Sequence, residues 1–226
     1  STPGQGAKRD RLAVLNSVGD DFAFELLAHE INSVIVTSGI FPIEYNDIRD
    51  AISAYAKAPF VDNDGGIGFT GALNLFLAIR SKNITTYVES GSWKGFSAYI
   101  AASAMDQVAA RCHEPQLERI VWRHPNVEFT AKDIALGPDC TEPHSTLVYL
   151  DDHVSHLDRL EQLTSKGYLR FLLDDDWPSL AWPWVGEAPI PSFSTIVALS
   201  QIASNSGRLA PFYRSHWRSL ERFSVL

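Results

Sequence analysis

The sequence predicts an α/β fold: a doubly wound, mostly parallel sheet with an N-terminal helical extension. Three observations lead there. From residue 85 onward, short β-branched and aromatic runs alternate with helix-length segments, the pattern of strand–helix–strand units. The run Thr146-Leu147-Val148-Tyr149-Leu150 is apolar without alternation, as in a strand covered on both faces of a parallel sheet. The run Thr86-Tyr87-Val88-Glu89-Ser90 breaks into Gly91-Ser92-Trp93-Lys94-Gly95 and then a helix, the form of a turn that brings main-chain amides up to a ligand.

With 226 residues and 45% hydrophobic content, the chain is long enough to bury a sizeable core as one domain. We divide it into an N-terminal helical extension with a Gly-rich loop, residues 1–82, and an α/β domain, residues 83–226. Residues 1–10 are polar and expected to be disordered. The periodic apolar positions Leu12, Leu15, Phe22, Phe24, Leu26, Leu27 and Ile31 predict helix over 11–36, and a second helix is expected over 44–57. Asp62-Asn63-Asp64-Gly65-Gly66-Ile67-Gly68 is a loop, followed by an apolar helix over 70–81. Strands are expected near 85–90, 107–113, 126–130, 145–151 and 168–174. Helices are expected near 95–105, 115–123, 154–166 and 193–204.

A net charge of -8 argues against a protein that tracks a phosphate backbone, so no nucleic-acid partner is expected. No apolar run approaches the roughly 20 residues of a membrane span, so no membrane partner is expected either. Cys112 and Cys140 are too few for a disulfide framework and fit two reduced thiols in a cytoplasmic protein. The start Ser1-Thr2-Pro3-Gly4-Gln5-Gly6 is not a signal sequence. It lacks an initiator methionine, which fits a trimmed chain and leaves open a removed targeting segment. A homo-oligomer is also open.

In a doubly wound sheet the ligand sits beyond the carboxyl ends of the strands, and here each of those ends carries an acid. They are Glu89, Glu114 in His113-Glu114-Pro115, Asp133, Asp151-Asp152-His153 and Asp174-Asp175-Asp176. A single loop acid is ordinarily a helix cap or a solvated turn, but five together point to a site. Glu114 lies about 20 residues beyond the glycine turn, where a carboxylate accepting two hydrogen bonds suits a ribose diol. The acids after the fourth and fifth strands need a cation or a proton to coexist, and a hard divalent ion such as Mg²⁺ meets that need with oxygen ligands.

The Glu-x-Gly-x-x-x-Gly spacing of Glu89, Gly91 and Gly95 resembles motif I of class I S-adenosylmethionine-dependent methyltransferases. Asp151 with Asp175 and Asp176 is similar to the metal site of catechol O-methyltransferase-type enzymes and the cephalosporin hydroxylase-like family. The resemblance extends from Gly65 to Trp177. It implies a Rossmann-like fold binding S-adenosylmethionine at Glu89, Gly91, Ser92, Trp93, Gly95, Glu114, Asp133 and Asp151, with Asp133 near the adenine amino group. It also implies a divalent metal, Mg²⁺, at Asp151, Asp175 and Asp176, and methyl transfer to an oxygen of a small-molecule hydroxylated acceptor. Relatives carry a lysine base shortly after the fourth-strand acid, whereas this chain has Asp152-His153-Val154-Ser155-His156. His153 is therefore the candidate catalytic base, with a capping or carbonyl-bonding role as its alternative. His156, a helical turn further on, is expected in a supporting layer or on the surface.

The Pro- and Trp-rich stretch after Asp176 cannot be a regular helix. Its Trp177, Trp182 and Trp184 are read as a substrate loop, or else as packing for the N-terminal helices or a partner subunit. Two other readings stay open. One is a metal-dependent, hydrolase-like enzyme on the same fold, and the other is a non-catalytic methyltransferase-like binding module.

Overall fold

The structure, a computed structural model, describes residues 43–60, 63 and 65–174, with helical backbone also at 21, 24, 25, 27–29 and 31. The expectations for residues 1–10, for the helix over 193–204 and for the Trp-rich loop lie outside the described residues, as do Asp175 and Asp176.

Helix α1, Tyr45–Ala56, presents Ile48, Ala51, Ile52, Tyr55 and Ala56 to the core, an i, i+3, i+4, i+7 stripe. Helix α2, Phe69–Ser81, is buried along most of its length and turns out through Lys82 and a left-handed Asn83. Then come β1, Thr86–Ser90; α3, Phe96–Ala104; β2, Ala110–His113; β3, Val127–Thr130; β4, Thr146–Leu150; α4, His156–Ser165; and β5, Phe171–Leu173. Short 3-10 turns occupy Leu117–Arg119 and Ile134–Leu136.

All strand pairs are parallel, in the order β3-β2-β1-β4-β5. With helices on both faces this is the Rossmann-like arrangement the sequence predicts. Because strand side chains alternate, Tyr87, Glu89, Cys112 and Tyr149 share one face, which packs on α1, α2 and α3 in a single core. Tyr55, Phe60 and Phe96 meet there at ring separations of 5.1–5.5 Å. On the other face Val88, Val148 and Leu150 pack with Ile134, Leu163 and Tyr168 in a smaller cluster. The outer part of that second face, on β2 and β3, is polar. An Arg111–Glu128 ion pair of 2.9 Å lies across it.

Two expectations need correction. The helix expected over 115–123 is only the turn at Leu117–Arg119, because its amides are drawn to other acceptors. Gln116 N donates to Glu114 Oε1, while Val121 N and Trp122 N both donate to Lys94 O. Pro115 and Pro125 bracket the segment and leave little room for a helical ladder. The second and fifth strands are also shorter than expected, starting at Ala110 and Phe171. Asp106, in the turn ahead of β2, pairs with Arg80 at 2.8 Å.

Candidate functional site

The strands end in register, with Thr130, His113, Ser90, Leu150 and Leu173 side by side. One residue beyond that row stand Ala131, Glu114, Gly91, Asp151 and Asp174, so the rim carries three carboxylates beside one alanine and one glycine. Gly91 lies between β2 and β4, where the strand order reverses direction and such folds open a crevice.

The turn after β1 is built around that glycine. Gly91 has a φ of 91°, its N–H donates to His113 O at 2.9 Å, and Asp151 N donates back to Ser90 O at 2.8 Å. A β-carbon on Gly91 would stand 2.0 Å from the Asp151 carbonyl oxygen. The glycine thus permits the close approach of β1's end to β4's. Gly95, at φ 89°, caps α3, and a β-carbon there would meet Trp122 O at 3.2 Å.

Glu89 lies beneath the turn, fully buried. Ser92 donates to its Oε2 at 2.9 Å, and Ser97, in the first turn of α3, donates to its Oε1. Burial raises its pKa to about 7, and the hydrogen bonds from Ser97, Ser92, Cys112 and Tyr87 oppose that rise. Two serines, one in the turn and one at the start of α3, thus hold the Glu89 carboxylate in place. Trp93 takes a left-handed backbone, φ 48°, and its N–H donates to Glu114 Oε2 at 2.8 Å. Its indole lies under the Arg119 guanidinium at 4.3 Å, and a β-carbon on Gly65 would touch its Nε1 at 3.3 Å. The Gly-rich loop thus reaches the turn through Trp93. Glu114 is buried, and each carboxylate oxygen accepts one amide, from Trp93 and from Gln116.

Arg159 is the residue that sequence reasoning missed. It is 5% exposed and faces the rim from α4. Its Nη1 and Nη2 donate to Asp133 Oδ1 and Oδ2 at 2.8 and 2.9 Å, its Nε to Asp152 Oδ2 at 2.8 Å, and its Nη1 to Gln162 Oε1 at 3.0 Å. A signal was present: His156, Arg159, Leu160 and Leu163 fall at i, i+3, i+4 and i+7, and all four are buried. His156 is therefore interior, and not on the surface. Asp133, expected near an adenine, has its carboxylate aligned by Arg159, which holds it below the usual carboxylate range. His113, beside it in the rim, donates from Nδ1 to Lys132 O at 2.8 Å, and burial lowers its pKa. His153 is exposed on the turn after β4, at φ 57°.

Asp151 and Asp174 end adjacent strands. Burial, and then the charge of these two acids, holds the Tyr149 phenol protonated, and its hydroxyl donates a hydrogen bond to Asp174 Oδ2. Among the described residues no group of three or more His, Cys, Asp or Glu side chains is arranged to hold a metal ion. Asp175 and Asp176, the other metal candidates, and Trp177, Trp182 and Trp184 of the substrate loop lie outside the described residues. A cavity of about 820 Å³ opens over the second face of the sheet, lined by Val88, Arg111 and Glu128 and by residues 138–142 of the segment before β4. Among the described residues no helix is long and apolar enough to cross a membrane, and Cys112 and Cys140 are free thiols.

No protein-family model matches the chain, and no curated protein matches it. Among solved structures it is similar to the O-methyltransferase TomG from Streptomyces achromogenes, involved in tomaymycin synthesis and solved in complex with SAM. The identity is 18% and the TM-score 0.40, over 76% of this chain and 83% of that one.

Proposed function

We propose that the chain is an S-adenosylmethionine-dependent methyltransferase that methylates an oxygen of a small hydroxylated acceptor in the cytoplasm, with a divalent ion assisting. The observation that carries the reading is Glu114. It stands at the rim of β2, next to the glycine turn at the reversal of strand order, with its carboxylate fixed by the amides of Trp93 and Gln116. Each oxygen accepts one N–H and has a second lone pair, which is the pair of acceptors a ribose diol requires. The cofactor supplies an electrophilic methyl group when bound. The chain's own residues hold and orient it: Glu114 at the ribose, Asp133 at the adenine edge, and the Gly91-to-Gly95 turn, buttressed by Glu89, beside the amino-acid end. Most of the acceleration then comes from positioning. His153, on the exposed turn, would take the acceptor's proton, and Asp151, Asp175 and Asp176 would hold the ion.

Calorimetry with the demethylated cofactor, S-adenosylhomocysteine, should show micromolar-range affinity, about -8 kcal/mol. Glu114→Gln should weaken it tenfold or more, because an amide cannot accept from both hydroxyls. Binding of NAD or ATP, with neither adenosyl ligand bound, would overturn the reading.

For the ion, Mg²⁺ at about 100 times its dissociation constant should stabilise the fold by about 2.7 kcal/mol, read as a rise in melting temperature. Asp175→Ala should abolish that rise. An equal rise in wild type and variant would remove Asp175 from the metal site.

A further inference from the structure

We propose that Arg159 is a positioning residue: one guanidinium that locks the loop after β3 to the loop after β4 and so sets both sides of the ligand site together. Its two partners sit on different loops, Asp133 beyond β3 and Asp152 beyond β4. Each partner in turn holds backbone. Asp133 Oδ1 accepts the Ala135 amide at 2.8 Å, and Asp152 Oδ1 accepts the Val154 amide at 3.2 Å. Asp152 Oδ2 also accepts the Ser90 hydroxyl, at the end of β1. A single buried side chain thus bridges three strand ends.

The geometry calls for such a bridge. His153 sits between Asp152 and Val154 at φ 57°, a conformation a non-glycine residue keeps only when its surroundings enforce it. The Asp152 side chain spans that residue through the Val154 amide while Arg159 holds the same carboxylate from below. Net stability is a poor account of the arrangement, since a buried ion pair is often no more stable than apolar packing of equal volume. Fixing one conformation of two loops is what a planar, five-donor group does and an ammonium does not.

The effect on a ligand rests on the methyltransferase reading, but the coupling of the loops does not. Full-length Arg159→Lys and Asp152→Asn variants should be compared with wild type by hydrogen exchange. Exchange at Ala135 and at Val154 should rise together by tenfold or more, while the amides of β1 and β4 stay protected. A rise confined to the loop nearest the mutation, or in neither loop, overturns the coupling. Calorimetry with 5′-methylthioadenosine, the adenosine half of the cofactor, should show affinity reduced about tenfold in Arg159→Lys. Coupled exchange with unchanged affinity overturns the positioning role. If the wild-type chain binds neither methylthioadenosine nor S-adenosylhomocysteine, the methyltransferase reading falls, and the exchange result alone decides the proposal.

Discussion

Gly91→Ala is expected to unfold the protein or destabilise it by about 4 kcal/mol or more, a loss outside the range of ordinary substitutions. Two costs add. A left-handed backbone costs a non-glycine residue about 1–2 kcal/mol. The larger cost is steric: the new methyl would stand 2.0 Å from Asp151 O and 2.4 Å from its carbonyl carbon, both backbone atoms. Relief requires separating the ends of β1 and β4, breaking the Asp151 N to Ser90 O bond at the centre of the sheet. Gly71→Ala is the control. There a β-carbon meets only the Ile67 side chain, Cβ at 3.4 Å and Cγ2 at 4.0 Å, and alanine's helix propensity should leave stability unchanged or raise it by about 0.5–1 kcal/mol. Urea unfolding of both variants checks this, and a Gly91→Ala midpoint near wild type would mean that β1 and β4 do not approach as described.

The second large effect concerns Glu89. Its carboxyl titrates at about 7 in the folded chain against 4.5 for the unperturbed group, chiefly because burial disfavours the charge. Below pH ~4.5 the group is protonated in both states. Between ~4.5 and ~7 the unfolded chain binds fewer protons than the folded one, so stability falls as pH rises, by about 3 kcal/mol across that window, and is then level. Glu89→Gln should remove this decline and be the more stable protein at pH 8, although the two should be close at pH 4. Melting curves of the pair across pH give the difference directly, free of other titrating groups common to both. Parallel pH profiles would show that Glu89 is ionised at no extra cost, stabilised by Ser92 and Ser97.

The sheet was legible because its central strands leave no alternative. Thr146-Leu147-Val148-Tyr149-Leu150 has no polar face to solvate, and every residue of β4 is buried. The row of acids followed from the same placement, since each stands at or just past a strand end. What the sequence could not convey is what each residue meets across the fold. The glycine turn shows a need for positive φ at Gly91, but the carbonyl that crowds it belongs to Asp151, sixty residues later and brought there only by the β1–β4 pairing. Arg159 was overlooked because an arginine reads as solvated, although its place in a buried helical stripe was written in the spacing. The helix expected over 115–123 failed where carboxylate and carbonyl acceptors outcompeted the helical ladder, a contest settled by tertiary contacts.

The polar outer half of the sheet bears on how the molecule behaves in company. Among the described residues β3 is an edge strand, and an edge offers unpaired amides and carbonyls to any other chain with a strand to add. Here the edge is four residues long. It carries the Glu128–Arg111 pair on one side, while on the other Arg123 lies 5.6 Å over the ring of Phe129. A second copy docking edge to edge would have to strip water from charges on both surfaces of the strand. Among the described residues, charge thus does at the margin of the sheet what burial does at its centre.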